Sequence, residues 1–271
     1  MLVGTAAGWI AAPVAWPLVG LMLVVVVALQ AATNMVNEVA DFIRGVDDVG
    51  SPGIAGVLVS GELSPAAAQR VALFVYAGAL VAGLGLVWAR GWVLLAMGLS
   101  GIAVSYLYSA GPLPIASTPF GELVVGFFMG PLAVLASEVA ATGRVSGLGL
   151  LASVPVAFSV SAILLGNNLR DLPRDAERGR RTLAVLVGSA GATRVLTGLL
   201  GGVFLWCVAL VGAEHLPLAA LLLAAVPAGW SILRTTRTRQ GLERVVPALG
   251  RFHLMVGVLL GLALALTKLQ G

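Results

Sequence analysis

Residues 148–175 read LGLLASVPVAFSVSAILLGNNLRDLPRD. The first twenty (Leu148–Asn167) carry no charge. They are long enough to cross the hydrocarbon core as a helix, which takes about 20 residues. A dense cluster of amides, arginines and carboxylates follows at once. An uncharged run that ends in a polar knot predicts a membrane helix with chemistry at one mouth.

Working outward, seven more runs of this kind appear: Pro17–Val39, Gln69–Trp88, Trp92–Ser109, Glu122–Ala141, Ala192–Val211, Leu216–Ile232 and Phe252–Leu266. A ninth, Leu2–Ala12, is about half the spanning length and reads as the back half of a helix whose start is missing. No segment alternates at period two over ten residues, so a β-barrel is excluded. The expected fold is an all-α polytopic helix bundle of nine-span plan with a truncated first span. It forms a single membrane-embedded domain over 1–271. Of the 271 residues, 59% are hydrophobic and 10% charged, against roughly 25% charged in soluble domains. Mean hydropathy is +1.02. Such a surface excludes a soluble cytosolic enzyme, a disordered chain and a nucleic-acid binder, despite a net charge of +4. The lone Cys207 lies in an apolar run and excludes a disulfide framework. One cysteine and two histidines make a zinc or haem site on those ligands unexpected.

The basic residues give orientation. Thirteen arginines fall at the ends of even-numbered spans, against Arg90, Arg144 and Lys268 on the other side. The even loops therefore face the cytoplasm. The arginines from Arg234 to Arg244 read as an anchor to anionic lipid. His215 and His253 read as boundary groups.

Most acids sit in two places, each at the cytoplasmic end of a span. At 3.6 residues per turn, Asn34, Asn37, Glu38 and Asp41 share one helix face, as do Asn168, Asp171 and Asp175. A carboxylate toward the bilayer interior costs on the order of 3 kcal/mol. The stripes are tolerated if they face the interior and a cation offsets them. Two stripes of hard oxygens, four spans apart, read as facing halves of one polar cavity suited to Mg²⁺, which keeps coordination sites for phosphate oxygens. The arginines beside the second stripe suit a polyanion. Together these describe a diphosphate site. A wet helix boundary with salt bridges and an ion pathway of a transporter are the competing readings.

At these residues the chain resembles the UbiA superfamily of intramembrane aromatic prenyltransferases, closest to the 1,4-dihydroxy-2-naphthoate polyprenyltransferase branch of menaquinone synthesis. Asn37, Asp41, Gly45 and Asp47 match its first motif. Asn167-Asn168-Leu-Arg170-Asp171 through Asp175, then Gly179-Arg180-Arg181-Thr182-Leu183, match its second. The opening 3–9, the segment Tyr108–Pro114 and Gly121-Glu122 also look like this branch. Leu113 stands where a basic residue is common, and the segment after Asp47 also lacks one.

The resemblance implies Mg²⁺-dependent transfer of a polyprenyl group from its diphosphate to an aromatic acceptor, with dihydroxynaphthoate leading to demethylmenaquinone. Asp41, Asp171 and Asp175 would be the catalytic acids. Asn37, Asp41, Asp47, Asn168, Asp171 and Asp175 would hold the metal. Asn34, Glu38, Arg44, Tyr108, Arg170, Arg178, Arg180 and Arg181 would contact substrate, and Tyr108, Phe127 or Phe128 would face an allylic cation. The alternatives are a relative with another acceptor, a terpene cyclase, and a catalytically silent scaffold or transporter. The expected partners are polyprenyl diphosphate, the aromatic acceptor and the bilayer, with no nucleic acid. The expected location is a prokaryotic plasma membrane, with the site's mouth toward the cytoplasm.

Overall fold

A computed structural model of the chain describes residues 1–45, 56–109, 113–213 and 217–270. Those residues are almost entirely helical, with no strand among them. The helices are α1 (Leu2–Ala11), α2 (Trp16–Ile43), α3 (Pro65–Arg90), α4 (Trp92–Ser109), α5 (Gly121–Phe127), α6 (Ala133–Thr142), α7 (Gly147–Glu177), α8 (Leu183–Ala213), α9 (Val226–Thr235) and α10 (Arg239–Gln270). A π-turn, Phe128–Leu132, joins α5 to α6 into one rod. Among the described residues, seven segments are long and apolar enough to cross a membrane, and α1 is shorter.

The predicted run Leu216–Ile232 differs from expectation. It is a 3₁₀ segment (Pro217–Ala225) continued by α9. A 3₁₀ turn rises about 2.0 Å per residue and an α-turn about 1.5 Å, so the composite still extends about 33 Å. Apolar composition alone does not distinguish the two geometries.

The chain divides into two compact units. One comprises Met1–Trp16 with Thr118–Gly271; the other is Pro17–Ser117. In the second unit, α2, α3 and α4 share a thin apolar seam around Ala32, Val36, Ala72 and Tyr76. A hydroxyl relay reinforces it: Thr33 Oγ1 lies 3.1 Å from Tyr76 Oη, which lies 3.0 Å from Ser105 Oγ. Such interhelical hydrogen bonds hold helices together where lipid offers no hydrophobic drive. Phe74, Trp88 and Trp92 stand almost fully exposed on this unit. In a bilayer those faces contact acyl chains. The two tryptophans flank Arg90-Gly91 at a helix junction, the interfacial position that indole rings favour.

In the first unit, α7 is the central post. It packs on α8 and α10 around Leu165, Leu169, Leu196, Leu249 and Phe252, all almost completely buried. Two Gly-x-x-x-Gly pairs set close helix approaches, as small residues do in lipid. Gly4 and Gly8 bring α1 onto α6, where a Cβ on Gly4 would strike the Val134 carbonyl. Gly126 and Gly130 bring α5 and the π-turn onto Ser161 and Ala157 of α7. The π-turn also accommodates Pro131, which has no N–H for the ordinary ladder; the Ala133 N–H reaches back five residues to Phe128 O.

Proline shapes α7 as well. Pro155 cannot donate to the carbonyl of Leu151, and that carbonyl instead accepts the Trp206 indole N–H at 2.8 Å. Trp206→Phe keeps most of the apolar body but strands the carbonyl. It is expected to destabilise the fold by about 1–3 kcal/mol, seen as a lower thermal midpoint in detergent; an unchanged midpoint would mean water or lipid satisfies Leu151. His253, expected at a boundary, instead ties α10 to α7 through a 2.8 Å bond to Ser159.

Candidate active site

Each acidic stripe stays on its helix beyond the apolar run: α2 continues to Ile43 and α7 to Glu177. The two belong to different units, and each has its own geometry.

On α7, Asn168, Asp171 and Asp175 lie on one face over two turns, as their spacing predicts. Asp171 is partly exposed and held by a two-pronged ion pair with Arg170, at 2.8 Å from Nε and 2.7 Å from Nη2. The same Nη2 reaches Asn167 Oδ1 at 2.8 Å, so the arginine is braced along its own helix. Planar guanidinium and carboxylate match well in this geometry.

Asp175 is the most sequestered acid of the stripe, 2% exposed. The end of α7 explains its partner. Gly179 sits at φ +70, the left-handed region that glycine tolerates. It completes a Schellman cap: Gly179 N–H donates to Ala176 O at 3.1 Å, and Arg180 N–H to Asp175 O at 2.9 Å. The reversal folds Arg180 back over Asp175, where Nη1 donates to Oδ1 at 2.9 Å. The second oxygen, Oδ2, is buried and makes no hydrogen bond. A buried carboxylate oxygen without a partner is costly. A cation or a donor placed beside it would satisfy it. Of the other expected phosphate contacts, Arg178 is half-buried at the cap and Arg181 is exposed.

Two further residues joined the polar surfaces without being chosen from the sequence. Glu122, at the start of α5, is 5% exposed and accepts a hydrogen bond from Asn168 Nδ2 at 2.9 Å; its Oε2 has no partner. An acid at the start of an apolar run was the available signal. Gln30 lies one turn before Asn34 and donates to its Oδ1 at 3.0 Å. It extends the α2 stripe by one more turn, a position that helical spacing alone indicates.

On α2, Asn34, Asn37, Glu38 and Asp41 lie on one face and are half-buried. Asn37 Oδ1 is buried without a partner. Glu38 Oε1 accepts the Gly56 N–H at 3.0 Å, which anchors the chain re-entering before α3. Arg44 is exposed and bonds the Ser109 carbonyl at the end of α4. Tyr108, in the same unit, is half-buried near that end. A cavity of about 200 Å³ is lined by Val36, Val39, Ala40, Ile43, Arg44, Gln69 and Tyr106. Helical spacing puts its α2 residues opposite the polar stripe, so it is not part of that surface. Asp47 lies outside the described residues. Phe127 is 53% exposed and meets Phe128 edge-on at 5.4 Å.

No group of three or more His, Cys, Asp or Glu side chains able to hold one metal ion occurs among the described residues. The donors present are instead sparse, hard oxygens, some buried and unpaired. That set fits Mg²⁺, which takes one or two carboxylates and fills its remaining positions with water and phosphate oxygens.

The fold and these polar stripes define a helical integral membrane protein whose two acidic stripes lie toward the ends of membrane helices. Residues 1–266 match the UbiA prenyltransferase family, and the chain belongs to that family. It is 42% identical over 183 residues to a protein of Bacillus subtilis (strain 168) named 1,4-dihydroxy-2-naphthoate octaprenyltransferase, covering 68% of this chain and 59% of that one. The chain thus spans under two thirds of that relative's length. A protein of the same name from Mycobacterium tuberculosis (strain ATCC 25618 / H37Rv) is 36% identical over 258 residues, covering 90% of this chain and 82% of the relative. Among solved structures, a UbiA homolog from Aeropyrum pernix K1 superimposes with a TM-score of 0.75 at 20% identity, covering 98% of this chain and 95% of that one. One from Archaeoglobus fulgidus, bound to GPP and Mg²⁺, gives 0.66 at 17%, covering 97% and 94%. At those identities the structures establish the shared fold.

Proposed function

We propose that the chain transfers a polyprenyl group from its diphosphate to 1,4-dihydroxy-2-naphthoate in a Mg²⁺-dependent reaction, yielding demethylmenaquinone. The observation that carries this reading is Asp175: almost wholly buried at the end of a membrane helix, with one oxygen fixed by Arg180 and the other unpaired. The names of the B. subtilis and M. tuberculosis relatives support the acceptor. The Mg²⁺ and GPP bound by the A. fulgidus homolog support the metal and the class of donor.

Both acidic stripes serve this reaction, and the two units act as one prenyltransferase domain over 1–271. Asn37, Asp41, Asp47, Asn168, Asp171 and Asp175 would hold the metal, which when bound supplies Lewis-acid neutralisation of charge on the departing diphosphate. Arg170, Arg178, Arg180 and Arg181 bind phosphate oxygens by charge-assisted donation. Asn34, Glu38 and Arg44 complete the substrate contacts on the α2 side. The C–O bond to the diphosphate breaks, leaving its electron pair on the diphosphate. Apolar helix walls exclude water from the allylic cation, and the face of Tyr108 stabilises it. The acceptor ring then attacks carbon 1 of the chain and loses its carboxylate as CO₂, whose bonding pair returns to the ring. The immediate product is the quinol form of demethylmenaquinone, and its oxidation to the quinone is a separate step. The helix ends bearing the stripes would face the cytoplasm of a prokaryotic plasma membrane, an orientation that the arginine distribution supports.

The test is turnover in membranes containing the chain, given Mg²⁺, labelled polyprenyl diphosphate and 1,4-dihydroxy-2-naphthoate. A labelled prenylated product should form, and should vanish with chelator or in Asp171→Asn. Diphosphate release that does not need the acceptor would instead identify a cyclase. No consumption of donor by folded protein would leave the transport and scaffold readings standing.

A further inference from the structure

Glu122 belongs to neither acidic motif, yet it is as buried as the asparagine it touches, each 5% exposed. Two hydrogen bonds hold it. Ser161 Oγ donates to its backbone carbonyl at 2.8 Å, and Asn168 Nδ2 donates to Oε1 at 2.9 Å. The close α5–α7 contact through Gly126 and Gly130 brings the two helices into that register. We propose that Glu122 is a positioning residue: it fixes the amide of Asn168 in the one orientation that turns the amide oxygen away from Glu122, so that it serves the metal–diphosphate site.

The argument is one of donor and acceptor inventory. A primary amide can be turned by 180° with little change of shape, exchanging an oxygen for an NH₂. A carboxylate only accepts. Beside Glu122, only the orientation with Nδ2 toward the carboxylate makes a bond. The opposite one sets two oxygens against each other in a buried place, where repulsion is weakly screened. Asn168 lies one turn before Asp171 on the same face of α7. Its orientation therefore decides whether that turn contributes a hard oxygen beside Asp171 and Asp175, or a donor that would repel a cation. Oxygen is what Mg²⁺ requires.

This inference rests on the function proposed above, and its test separates the two. The full chain is purified in detergent with a fixed level of geranyl thiodiphosphate, a donor analogue that resists ionisation. Mg²⁺ is titrated while the thermal midpoint is followed. The variants are Glu122→Gln, Asn168→Asp and the pair together. Glu122→Gln removes the selection, because glutamine can face the amide with either end. It should raise the Mg²⁺ concentration for half-maximal stabilisation roughly tenfold or more, the usual range for a residue that orients a metal ligand. Turnover at saturating Mg²⁺ should change far less. The double variant restores one donor facing one acceptor-only group with the roles exchanged, and should regain much of the Mg²⁺ response that either single variant loses. It also retains the interhelical bond, so it keeps the test valid if a single variant misfolds. A Glu122→Gln titration matching wild type would overturn the proposal. So would a double variant no better than the worse single one, or a loss confined to turnover with Mg²⁺ response intact, which would mark Glu122 as a proton acceptor. Absence of any Mg²⁺-dependent shift in wild type would remove the metal–diphosphate reading and this inference with it.

Discussion

Asp175→Asn is expected to lower kcat/KM for prenyl transfer on the order of 10³-fold, about 4 kcal/mol of transition-state stabilisation. The size follows from what the substitution keeps and what it removes. Asparagine can still present an oxygen to Arg180 Nη1, the contact now 2.9 Å long. The Schellman cap around Gly179 uses backbone groups and is untouched. What changes is the other end of the side chain. Where Oδ2 now stands buried and unpaired, the variant places an NH₂ and no charge. A donor there opposes a cation, and the leaving diphosphate loses part of its charge compensation. Asp171→Asn disturbs a more exposed acid whose two oxygens are both engaged by Arg170. It is also expected to be severe, but part of its effect passes through release of that arginine. The measurement is product formation from labelled donor and 1,4-dihydroxy-2-naphthoate, with the thermal midpoint of each variant recorded alongside. An Asp175→Asn protein within tenfold of wild type would show that the buried oxygen is not part of the reaction.

The helical plan was legible because lipid leaves few choices. A backbone in hydrocarbon must satisfy its own hydrogen bonds, so an uncharged twenty-residue run reads as a helix with little ambiguity. Trp92–Ser109 was placed to the residue. The stripes on α2 and α7 were legible for a related reason: carboxylates next to such runs are costly, and a spacing of three and four fixes their shared face. The local bonding was less accessible. Nothing in the sequence indicates that Gly179 returns Arg180 to Asp175, because that depends on a single left-handed residue. Glu122 appeared as the first residue of a run and within the resemblance at Gly121-Glu122, with no role attached. Its role came from packing against a helix some forty residues on, which periodicity does not encode. The Pro217–Ala225 segment departed from α geometry for the same reason: apolar composition is satisfied by either helix type, and neighbouring contacts decide.

The second large effect is on the fold. Gly130→Ala is expected to destabilise the chain by roughly 3 kcal/mol or more, the upper end for overpacking a tight contact. A Cβ at Gly130 would lie 2.6 Å from Ala157 Cβ, 2.7 Å from its Cα and 3.0 Å from its N. Two of those atoms are backbone, so no side-chain rotation relieves the clash, and α5 must move off α7. Ala157→Gly in the same protein removes only one of the three contacts, and should restore part of the loss. A contrasting site tests whether the effect belongs to the seam or to glycine in helices generally. Gly83, inside α3, has open space around its own Cβ position. There Gly83→Ala should be neutral or stabilising by up to about 1 kcal/mol, since alanine is the better helix former. The seam also carries the contact between Glu122 and Asn168. Displacing α5 must stretch the 2.9 Å bond between Glu122 and Asn168 and the 2.8 Å bond from Ser161. Gly130→Ala should therefore weaken the Mg²⁺ response in the fraction that remains folded, whereas Gly83→Ala should not. Thermal midpoints in detergent and the Mg²⁺ titration read both effects on the same samples. Equal stability of Gly130→Ala and wild type would mean the two helices do not approach this closely in the membrane, and the placement of Glu122 would lose its structural basis.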